Sequence, residues 1–527
     1  MKKPKLLTLE EEFQRLNITE NQFGPVLLSR LGKGLYKNEL HCVREYIQNA
    51  VDGINKFNRE YPSLSVERTI RIDAQGDALT FYDNGIGMNK DDILTAVSFG
   101  VSFKEKVYDA GFLGIGIFSG GSLAEKARIY TTKKGEAKAF VFEIDFKYIE
   151  GKYKKYKSGL SLLKEATRFQ ELDEDVEKHY CQAILYVDKE HQYLLKDDTG
   201  IRRYISLVCP VGFPDSFKYK NEVDNFMQKY GIDDQLFDIR LNKKSVFRPY
   251  PTKIIAPEFR EVRIDGQLVG AYWYCENVGK GFILDAKGQE NEDIRYITYR
   301  WRNFLIDDPQ RRDYAARELF GGRPDLMKRY FGDIHILNFE SIEPDLERTG
   351  FRHTSEYEDF KKAITHPGSK SNILLLRTEA RTASSQAILI KQAKAAKAMC
   401  QKIQGQDFSK TKEEELWEKK IEFKNLAKEL ESKKNKAKGK AYKGLTTPEK
   451  KNVDESLSSL NKTTKLIEKT IEEAKHDKTK PKDPAGINLD SKVTFGEILK
   501  ILKKHLKDHG SIYNAIVKDL KSLVKGK

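Results

Sequence analysis

Cysteines and long apolar runs are both scarce in this chain of 527 residues. The cysteines stand singly, so the chain has neither a zinc-binding CxxC pair nor the dense disulfide framework of a small secreted domain. No stretch approaches the roughly 18 apolar residues that a membrane-spanning helix needs. The first residues, MKKPKLLTLEEEF, turn acidic before an apolar signal segment could form. We therefore expect a cytoplasmic protein with free thiols and no membrane partner. The five cysteines are Cys42, Cys181, Cys209, Cys275 and Cys400.

The phosphate-binding motif GxxxxGK[ST] is also missing, which excludes the chemistry of P-loop nucleotide hydrolases. The chain does contain a glycine-rich, apolar segment, AGFLGIGIFSGG, at residues 110–121. Gly111, Gly114 and Gly116 are spaced GxxGxG and could direct main-chain N–H groups at phosphate oxygens. A Rossmann fingerprint would follow a strand, whereas the preceding residues read FKEKVYDA. Taken alone, the segment is compatible with a phosphate cradle, a buried turn or a membrane-inserting piece.

Positive charge is in excess, with 94 lysines and arginines against 79 aspartates and glutamates. The formal net charge of +15 suits DNA, RNA or another polyanion as a partner. A lysine-rich solvated surface explains the same balance without a partner. The lysine cluster at residues 432–444, SKKNKAKGKAYKG, has the same two interpretations. The charge balance therefore does not decide whether the protein binds nucleic acid.

Composition and periodicity divide the chain into four parts. The first, 1–189, alternates amphipathic helices such as 37–58 with short strands, which is typical of a mixed α/β domain. The second mixes helices and strands and carries a basic block at 300–336. The third is rich in Ala, Lys, Glu and Leu, the composition of long helices or a coiled coil. The amphipathic pattern of the fourth part predicts a small helical module. The second, third and fourth parts span 190–367, 373–478 and 487–527.

A polar constellation lies on the first long helix, in REYIQNAVDG. Glu45, Asn49 and Asp52 are four and three residues apart, which places them on one helix face. An amide oxygen can bind Mg²⁺, and a carboxylate can act as a general base on water. An exposed, solvated helix face would show the same spacing.

A second motif, YDNGIGMN, follows at residues 82–89. Asp83 lies at a predicted strand end, where its carboxylate can accept a hydrogen bond from an exocyclic amine. Gly85 and Gly87 let the backbone approach a ligand closely. An ordinary Asp-Asn-Gly turn is the alternative.

The order ExxxNAxD, DxGxGM and GxxGxG resembles the ATPase family of gyrase, heat shock protein 90, histidine kinases and MutL, known as GHKL. DNGIGMNKDDI and GFLGIGIFSGGSLAEKARIYTTK are similar to blocks of heat shock protein 90, and SFGVSFK (98–104) is similar to microrchidia (MORC) ATPases. The resemblance implies an α+β chain. A Bergerat-fold ATPase domain, with an N-terminal strap at 1–36, would precede a ribosomal-S5-like α/β transducer domain and a helical C-terminal region.

The resemblance also implies residue roles. Glu45 would activate the attacking water, and Asn49 would ligate Mg²⁺. Asp83 would bind the adenine amino group, with Gly87 nearby through a water. The resemblance places further nucleotide contacts at Asp52, Gly85, Met88 and Lys104, and a lid over the phosphates at Gly111, Phe112, Leu113, Gly114, Ile115 and Gly116.

The implied function is Mg²⁺-dependent hydrolysis of ATP to ADP and phosphate, with lid closure and dimerisation through the N-terminal domain and the C-terminal helices. Such a clamp would act on a protein client or on DNA or RNA. The alternative is an ATP-gated scaffold or DNA-binding protein with little hydrolysis, including a role in antiviral defence.

Two features of the family have no clear counterpart in the sequence. Its late-strand threonine is missing from CQAILYV (181–187). A cation from the second domain should reach the γ-phosphate, and five residues are candidates: Arg300, Arg302, Arg323, Lys328 and Arg348.

Overall fold

The computed structural model describes most of the chain. The described ranges are 24–33, 38–98, 109, 116–279, 281–321, 323–369, 372–403, 406, 411, 413–435 and 440–477. Most of the predicted strap, the first half of the glycine-rich segment (110–115) and the predicted module at 487–527 lie outside them. Within these ranges, no helix combines the length and the apolar character needed to cross a bilayer.

The first sheet has eight strands in the described part of the chain. Its strands are β1 Thr69–Gln75, β2 Ala78–Asp83, β3 Ala124–Thr132, β4 Lys138–Asp145, β5 Thr167–Asp173, β6 Tyr180–Val187, β7 Asp238–Leu241 and β8 Lys244–Ser245. They are ordered β5-β4-β3-β6-β2-β1-β7-β8. β1 and β7 pair in parallel, and the other neighbours pair antiparallel. A mixed sheet of this kind confirms the predicted α+β class.

Helices accompany this sheet, and several pack on it. They are α1 Pro25–Lys33, α2 His41–Glu60, α3 Lys90–Val97, α4 Phe146–Lys152, α5 Gly159–Ala166, α6 Tyr193–Lys196, α7 Thr199–Val208 and α8 Lys220–Lys229. The apolar stripe of α2, represented by Val43, Ile47 and Ile54, is buried in one core with the inward residues of β1 and β2. Residues three and four apart share a helix face, while alternate strand residues share a sheet face, so both patterns supply the same core.

Local sequence signals end and begin these elements as predicted. Gly76 adopts φ +63° in the turn between β1 and β2, a conformation that costs glycine little. The side chain of Asn89 accepts the N–H of Asp92, and the side chain of Asp92 accepts the N–H of Asn89. This reciprocal capping box starts α3 where the sequence predicted a capped helix.

The first sheet continues past residue 189, where the sequence placed the end of the first domain. β7 pairs with β1 through Ile239 opposite Ile70, and α7 buries its apolar face in the same core. Thus the sheet built by the first part of the chain recruits strands up to Ser245, and its core takes in Val246 and also Phe304 and Leu305.

A second sheet has five described strands in the order β12-β11-β13-β10-β9. The strands are β9 Glu258–Ile264, β10 Gln267–Glu276, β11 Tyr296–Trp301, β12 Phe304–Ile306 and β13 Tyr330–Ile336, with helices α9 Tyr314–Phe320 and α10 Ser355–Thr365. The indole rings of Trp273 and Trp301 are fully buried against this sheet. Gly332 has no room for a side chain, since a Cβ there would lie 2.1 Å from the carbonyl oxygen of Trp273.

A charged cluster stabilises the centre of the second sheet. The carboxylate of Asp333 is fully buried and accepts hydrogen bonds from Arg248 at 2.6 Å, Arg300 at 3.0 Å and Thr298 at 3.0 Å. The two guanidinium groups hold the pKa of Asp333 well below its usual range despite the burial that opposes ionisation. Removing one partner of such a buried group leaves an uncompensated charge, so this cluster is structural.

Long helices follow, as the composition predicted. They are α11 Leu374–Ile403, α12 Glu413–Asn435, α13 Lys440–Lys443 and α14 Thr447–Asp477. Contacts divide the chain into two compact units, Met1–Gln392 with Lys433–Lys450, and Ala393–Ser432 with Lys451–Lys527. Both sheets lie in the first unit. The coiled coil stays a prediction.

Candidate functional site

The polar constellation of α2 lies largely inside the protein. Glu45 is 9% exposed and Asp52 is 3% exposed, whereas Asn49 between them is exposed. A merely solvated helix face would expose all three side chains. Two buried carboxylates on one face therefore need a partner or a ligand, because burying an ionised group is costly.

The turn that follows β2 docks directly on α2. Asp83 ends β2, is buried, and accepts the N–H of Gly85 at 2.9 Å. The N–H of Ile86 donates to the carbonyl oxygen of Gly53 on α2 at 2.9 Å. A Cβ at Gly53 would lie 3.5 Å from Oδ1 of Asp83. The carboxylate of Asp83 thus lies beside the helix that carries Glu45.

The two glycines of this turn are required by packing. A Cβ at Gly85 would lie 2.4 Å from the carbonyl carbon of Gly53, which no side chain tolerates. Gly87 adopts φ +67°, and a Cβ there would lie 1.8 Å from the carbonyl oxygen of Thr132 on β3. The glycines therefore let the turn wedge between α2 and β3, which fixes Asp83.

Gly116, the last glycine of the GxxGxG motif, lies against the polar face of α2. A Cβ at Gly116 would be 3.3 Å from Oε2 of Glu45 and 3.5 Å from Nδ2 of Asn49. The hydroxyl of Tyr46 donates to the carbonyl oxygen of Ile117 at 2.9 Å, which ties the following 3₁₀ turn, Gly116–Ser122, to α2. The remaining predicted members of this segment, Gly111, Phe112, Leu113, Gly114 and Ile115, and Lys104 before it, lie outside the described residues.

Arg348, from the loop after the second sheet, reaches this face. Its Nε lies 3.9 Å from Oε1 of Glu45, and the residue is only 2% exposed. Arg348 adopts φ +56°, a left-handed conformation that costs an L-residue about 1–2 kcal/mol. Such local strain is found where the surrounding structure dictates a side chain's position.

Arg44 joins the same loop to α2. Its Nη2 donates to the carbonyl oxygen of Glu347 at 3.2 Å and to Nδ1 of His41 at 2.8 Å, and its Nε lies 3.7 Å from Oε1 of Glu45. Burial and the positive charges of Arg44 and Arg348 lower the pKa of His41 to about 2. Because this imidazole is neutral, it can accept the hydrogen bond from Arg44. Glu45 therefore faces two guanidinium groups.

The other four cation candidates have different surroundings. Arg300 is bound to Asp333, Arg323 pairs with Asp325 at 3.1 Å, and Nζ of Lys328 lies 4.0 Å from Glu290. The guanidinium of Arg302 lies over the ring of Phe339, 4.2 Å from its centroid. Burial lowers the pKa of Arg302 to about 10, although the carboxylates of Asp52 and Asp109 oppose this shift. Arg348 is therefore the candidate that lies beside Glu45.

The sequence motifs did not identify two side chains that lie across the sheet from Asp83, one on β6 and one on β3. In the sheet register, Cys181 of β6 lies between Asp83 of β2 and Thr131 of β3. Cys181 therefore occupies the strand position where a threonine was sought, and burial and the nearby Asp83 carboxylate raise the pKa of its thiol well above the usual value. Thr131 comes from the adjacent strand, in the quoted stretch ARIYTTK, and no motif marked it.

The donor set fits a magnesium–nucleotide ligand. In the ranges that the structure describes, no group of three or more His, Cys, Asp or Glu residues could hold a metal ion by itself. Mg²⁺ bound with a nucleotide needs only one or two protein oxygens, since phosphates and waters complete its shell. The amide of Asn49, exposed beside Glu45, provides such an oxygen. Gly116 leaves open space where a Cβ would crowd both groups.

Comparison with known proteins agrees with this geometry. Residues 39–177 match the family described as histidine kinase-, DNA gyrase B-, and HSP90-like ATPase. The chain is similar to the chaperone protein HtpG of Sulfurovum sp. (strain NBC37-1), with 34% identity over 142 residues, 23% of each chain. It is also similar to HtpG of Rickettsia rickettsii (strain Sheila Smith), with 24% identity over 376 residues, 64% of this chain and 53% of the relative.

HtpG of Campylobacter jejuni is a further relative, with 34% identity over 140 residues. The chain thus spans about half or less of the length of these curated relatives. The family match covers α2, the turn after Asp83 and the strands around Thr131, which are the elements that form the site. Residues 39–177 therefore resemble the ATPase domain shared by histidine kinases, DNA gyrase B and HSP90, and the chain is similar over part of its length to HtpG chaperones.

Proposed function

We propose that the chain binds ATP between α2 and the turn after β2, and that it hydrolyses ATP to ADP and phosphate. The observation that carries this proposal is the contact between Glu45 and Arg348, whose Oε1 and Nε atoms lie 3.9 Å apart. Glu45 lies on the helix packed on the first sheet, and Arg348 lies in the loop after the second sheet. A carboxylate alone could be a structural group. A carboxylate flanked by a distant cation and by Gly116 is the arrangement that phosphoryl transfer requires.

In the bound state, Asp83 accepts a hydrogen bond from the exocyclic amine of adenine. Gly85 and Gly87 keep the turn close to α2, so that Gly87 can contact the base through a water. Asp52 and Met88 line the pocket. Lys104 and the segment Gly111, Phe112, Leu113, Gly114, Ile115 and Gly116 contribute contacts to the phosphates.

For hydrolysis, Glu45 takes a proton from the attacking water as its oxygen bonds to the γ-phosphorus. The bond between that phosphorus and the β,γ-bridging oxygen breaks, and ADP leaves with the electron pair. Asn49 would hold Mg²⁺ through its amide oxygen, and the bound ion would supply positive charge to neutralise the phosphates. Arg348 stabilises the negative charge of the transferring group, while Arg44 keeps the Arg348 loop against α2.

We further propose that ATP drives closure of the glycine-rich segment and pairing of two copies through their N-terminal domains and C-terminal helices. Gly116 of this segment lies against both Glu45 and Asn49, which supports a coupling between nucleotide binding and the position of the segment. The similar proteins are named chaperones, which favours a protein client over DNA or RNA.

The test separates binding from turnover in the full chain. Asp83→Asn should weaken ATP binding at least tenfold by calorimetry, since the Asn amide cannot replace the second carboxylate oxygen. Asp73→Asn, on the outer face of β1, is the matched control and should bind as the wild type does. Arg348→Ala should bind ATP as the wild type does but lose most phosphate release. Arg352→Ala, in the same loop, should keep both ATP binding and phosphate release. Unchanged binding by Asp83→Asn, or equal turnover by the two arginine variants, would refute these roles.

A further inference from the structure

A single hydroxyl joins the nucleotide-site turn to two strands of the first sheet. Oγ1 of Thr131 on β3 accepts the N–H of Met88 at 2.9 Å. The same oxygen donates its hydrogen to the carbonyl oxygen of Tyr180 on β6 at 2.9 Å. Thr131 is completely buried. Its side chain therefore ties the far end of the turn to the sheet in the interior of the protein.

This tether acts at the end of the turn that the contacts of Asp83 and Ile86 do not hold. The near end of the turn is held by Asp83 itself, and its middle by the bond from Ile86 to Gly53. Gly87 next to Met88 adopts φ +67°, which glycine reaches without strain, so the backbone conformation of Gly87 does not by itself hold this end of the turn. At this end of the turn, the hydroxyl of Thr131 accepts the N–H of Met88.

The hydroxyl has a defined hydrogen-bonding direction. A threonine hydroxyl has one hydrogen to donate and two lone pairs. The hydrogen goes to Tyr180, so the lone pairs face Met88. Deleting the hydroxyl leaves the N–H of Met88 without this acceptor in a partly buried place, and an unsatisfied buried donor costs free energy. The turn can recover that free energy only by moving away from its position beside Asp83.

We propose that Thr131 is a positioning residue for nucleotide binding: its hydroxyl fixes the turn Asp83–Met88 in the conformation that receives the base. This inference rests on the proposed function and adds a residue to it. Thr131 does not touch the reacting atoms. It acts through Met88 and Gly87, and its loss should weaken binding rather than slow the chemical step.

The neighbouring residue provides a matched control. Thr132 is also completely buried on β3, and its hydroxyl donates to the carbonyl oxygen of Lys138 at 2.9 Å, whereas only its main-chain carbonyl, which a valine keeps, faces Gly87. Thr132→Val removes a buried hydroxyl of the same kind from the same strand. A general loss of stability should therefore appear in both valine variants, whereas an effect on nucleotide binding should appear only at Thr131.

The experiment measures ATP affinity, kcat, KM and thermal unfolding for the full-length wild type, Thr131→Val, Thr131→Ser and Thr132→Val. We expect Thr131→Val to weaken ATP binding and raise KM about tenfold with kcat nearly unchanged, because one buried hydrogen bond is lost. Thr131→Ser should restore binding, and Thr132→Val should bind as the wild type does.

Equal ATP affinity in Thr131→Val and Thr132→Val would overturn the positioning role, even if both variants are less stable. Failure of Thr131→Ser to restore binding would also overturn it. If the wild type itself binds no ATP, the proposed function fails, and that result is distinguishable because it does not depend on any variant.

Discussion

Replacing Gly87 by alanine should disrupt the nucleotide site through a steric clash that can be measured separately from backbone strain. Gly87 and Gly76 have nearly the same left-handed conformation, φ +67° and φ +63°. A Cβ at Gly76 meets nothing within 4 Å, whereas a Cβ at Gly87 lies 1.8 Å from the carbonyl oxygen of Thr132. Gly76→Ala therefore reports the conformational penalty alone, and Gly87→Ala reports that penalty plus the overlap.

The two magnitudes follow from the geometry. The left-handed conformation costs an alanine about 1–2 kcal/mol at either position. At Gly87 the atoms must also separate by more than an ångström, and because Thr132 belongs to the central sheet, relief requires the turn to leave β3. Overpacking of a rigid site adds about 1–3 kcal/mol. We expect Gly87→Ala to lose about 2–5 kcal/mol of unfolding free energy, a large share of the roughly 5–15 kcal/mol typical of a protein.

The assays are urea unfolding and ATP calorimetry on the wild type and both alanine variants. Gly76→Ala should be mildly destabilised and should bind ATP normally, since its turn is at the opposite end of β1 and β2 from Asp83. Gly87→Ala should be more destabilised and should bind ATP at least tenfold more weakly. If the two variants have equal stability and equal affinity for ATP, the close packing of the turn between α2 and β3 does not position Asp83.

Two further predictions concern the second sheet and its surroundings. Burial raises the pKa of Asp307 to about 7, so the folded state binds this proton more tightly than the unfolded state, and stability falls as pH rises from about 4 to 7. The slope of unfolding free energy against pH reaches about 1.4 kcal/mol per pH unit. Between pH 5 and pH 8, the wild type should therefore lose more unfolding free energy than Asp307→Asn does. An equal loss in the two proteins would contradict the raised pKa of Asp307. Gly332→Ala places a Cβ 2.1 Å from the carbonyl oxygen of Trp273, whereas Gly212→Ala meets only a side-chain atom at 3.9 Å. Urea unfolding should show a loss of about 1–3 kcal/mol or more for Gly332→Ala and little change for Gly212→Ala; similar curves would refute the close strand approach.

Short-range patterns predicted the elements that form the site. The spacing of apolar residues on α2 predicted which face enters the core, and the same spacing grouped Glu45, Asn49 and Asp52 on one face. Asn89 predicted the start of α3 because a capping side chain acts within one helical turn. These features depend on residues three or four apart, so the sequence contains them directly.

Long-range contacts could not be predicted in this way. Arg44 and Glu347 are 303 residues apart in sequence, and the pairing of Glu45 with Arg348 depends on how the second sheet packs. The five cationic candidates were equivalent until that packing was known. Thr131 likewise acquires its role from the adjacent strand and from Met88, 43 residues earlier.

The extent of the first sheet shows the same limitation. β7 is only four residues long, Asp238–Leu241, and its alternating pattern is too short to distinguish it from a loop. Its parallel pairing with β1 requires a connection of more than a hundred residues, which no local signal encodes. The predicted boundary at residue 189 therefore falls before the last two strands of the first sheet, whereas the central hairpins were predicted from local patterns.

Single-turnover hydrolysis by Glu45→Ala is the most direct test of the central claim that Glu45 is the general base of an ATPase. The wild type and the variant are mixed with ATP and Mg²⁺, and phosphate release is measured at protein concentrations that bind all the ATP, with affinity measured separately. We predict that Glu45→Ala binds ATP within a few fold of the wild type and releases phosphate at least a hundredfold more slowly, as expected for loss of a general base. Phosphate release at the wild-type rate, with ATP fully bound, would contradict the account.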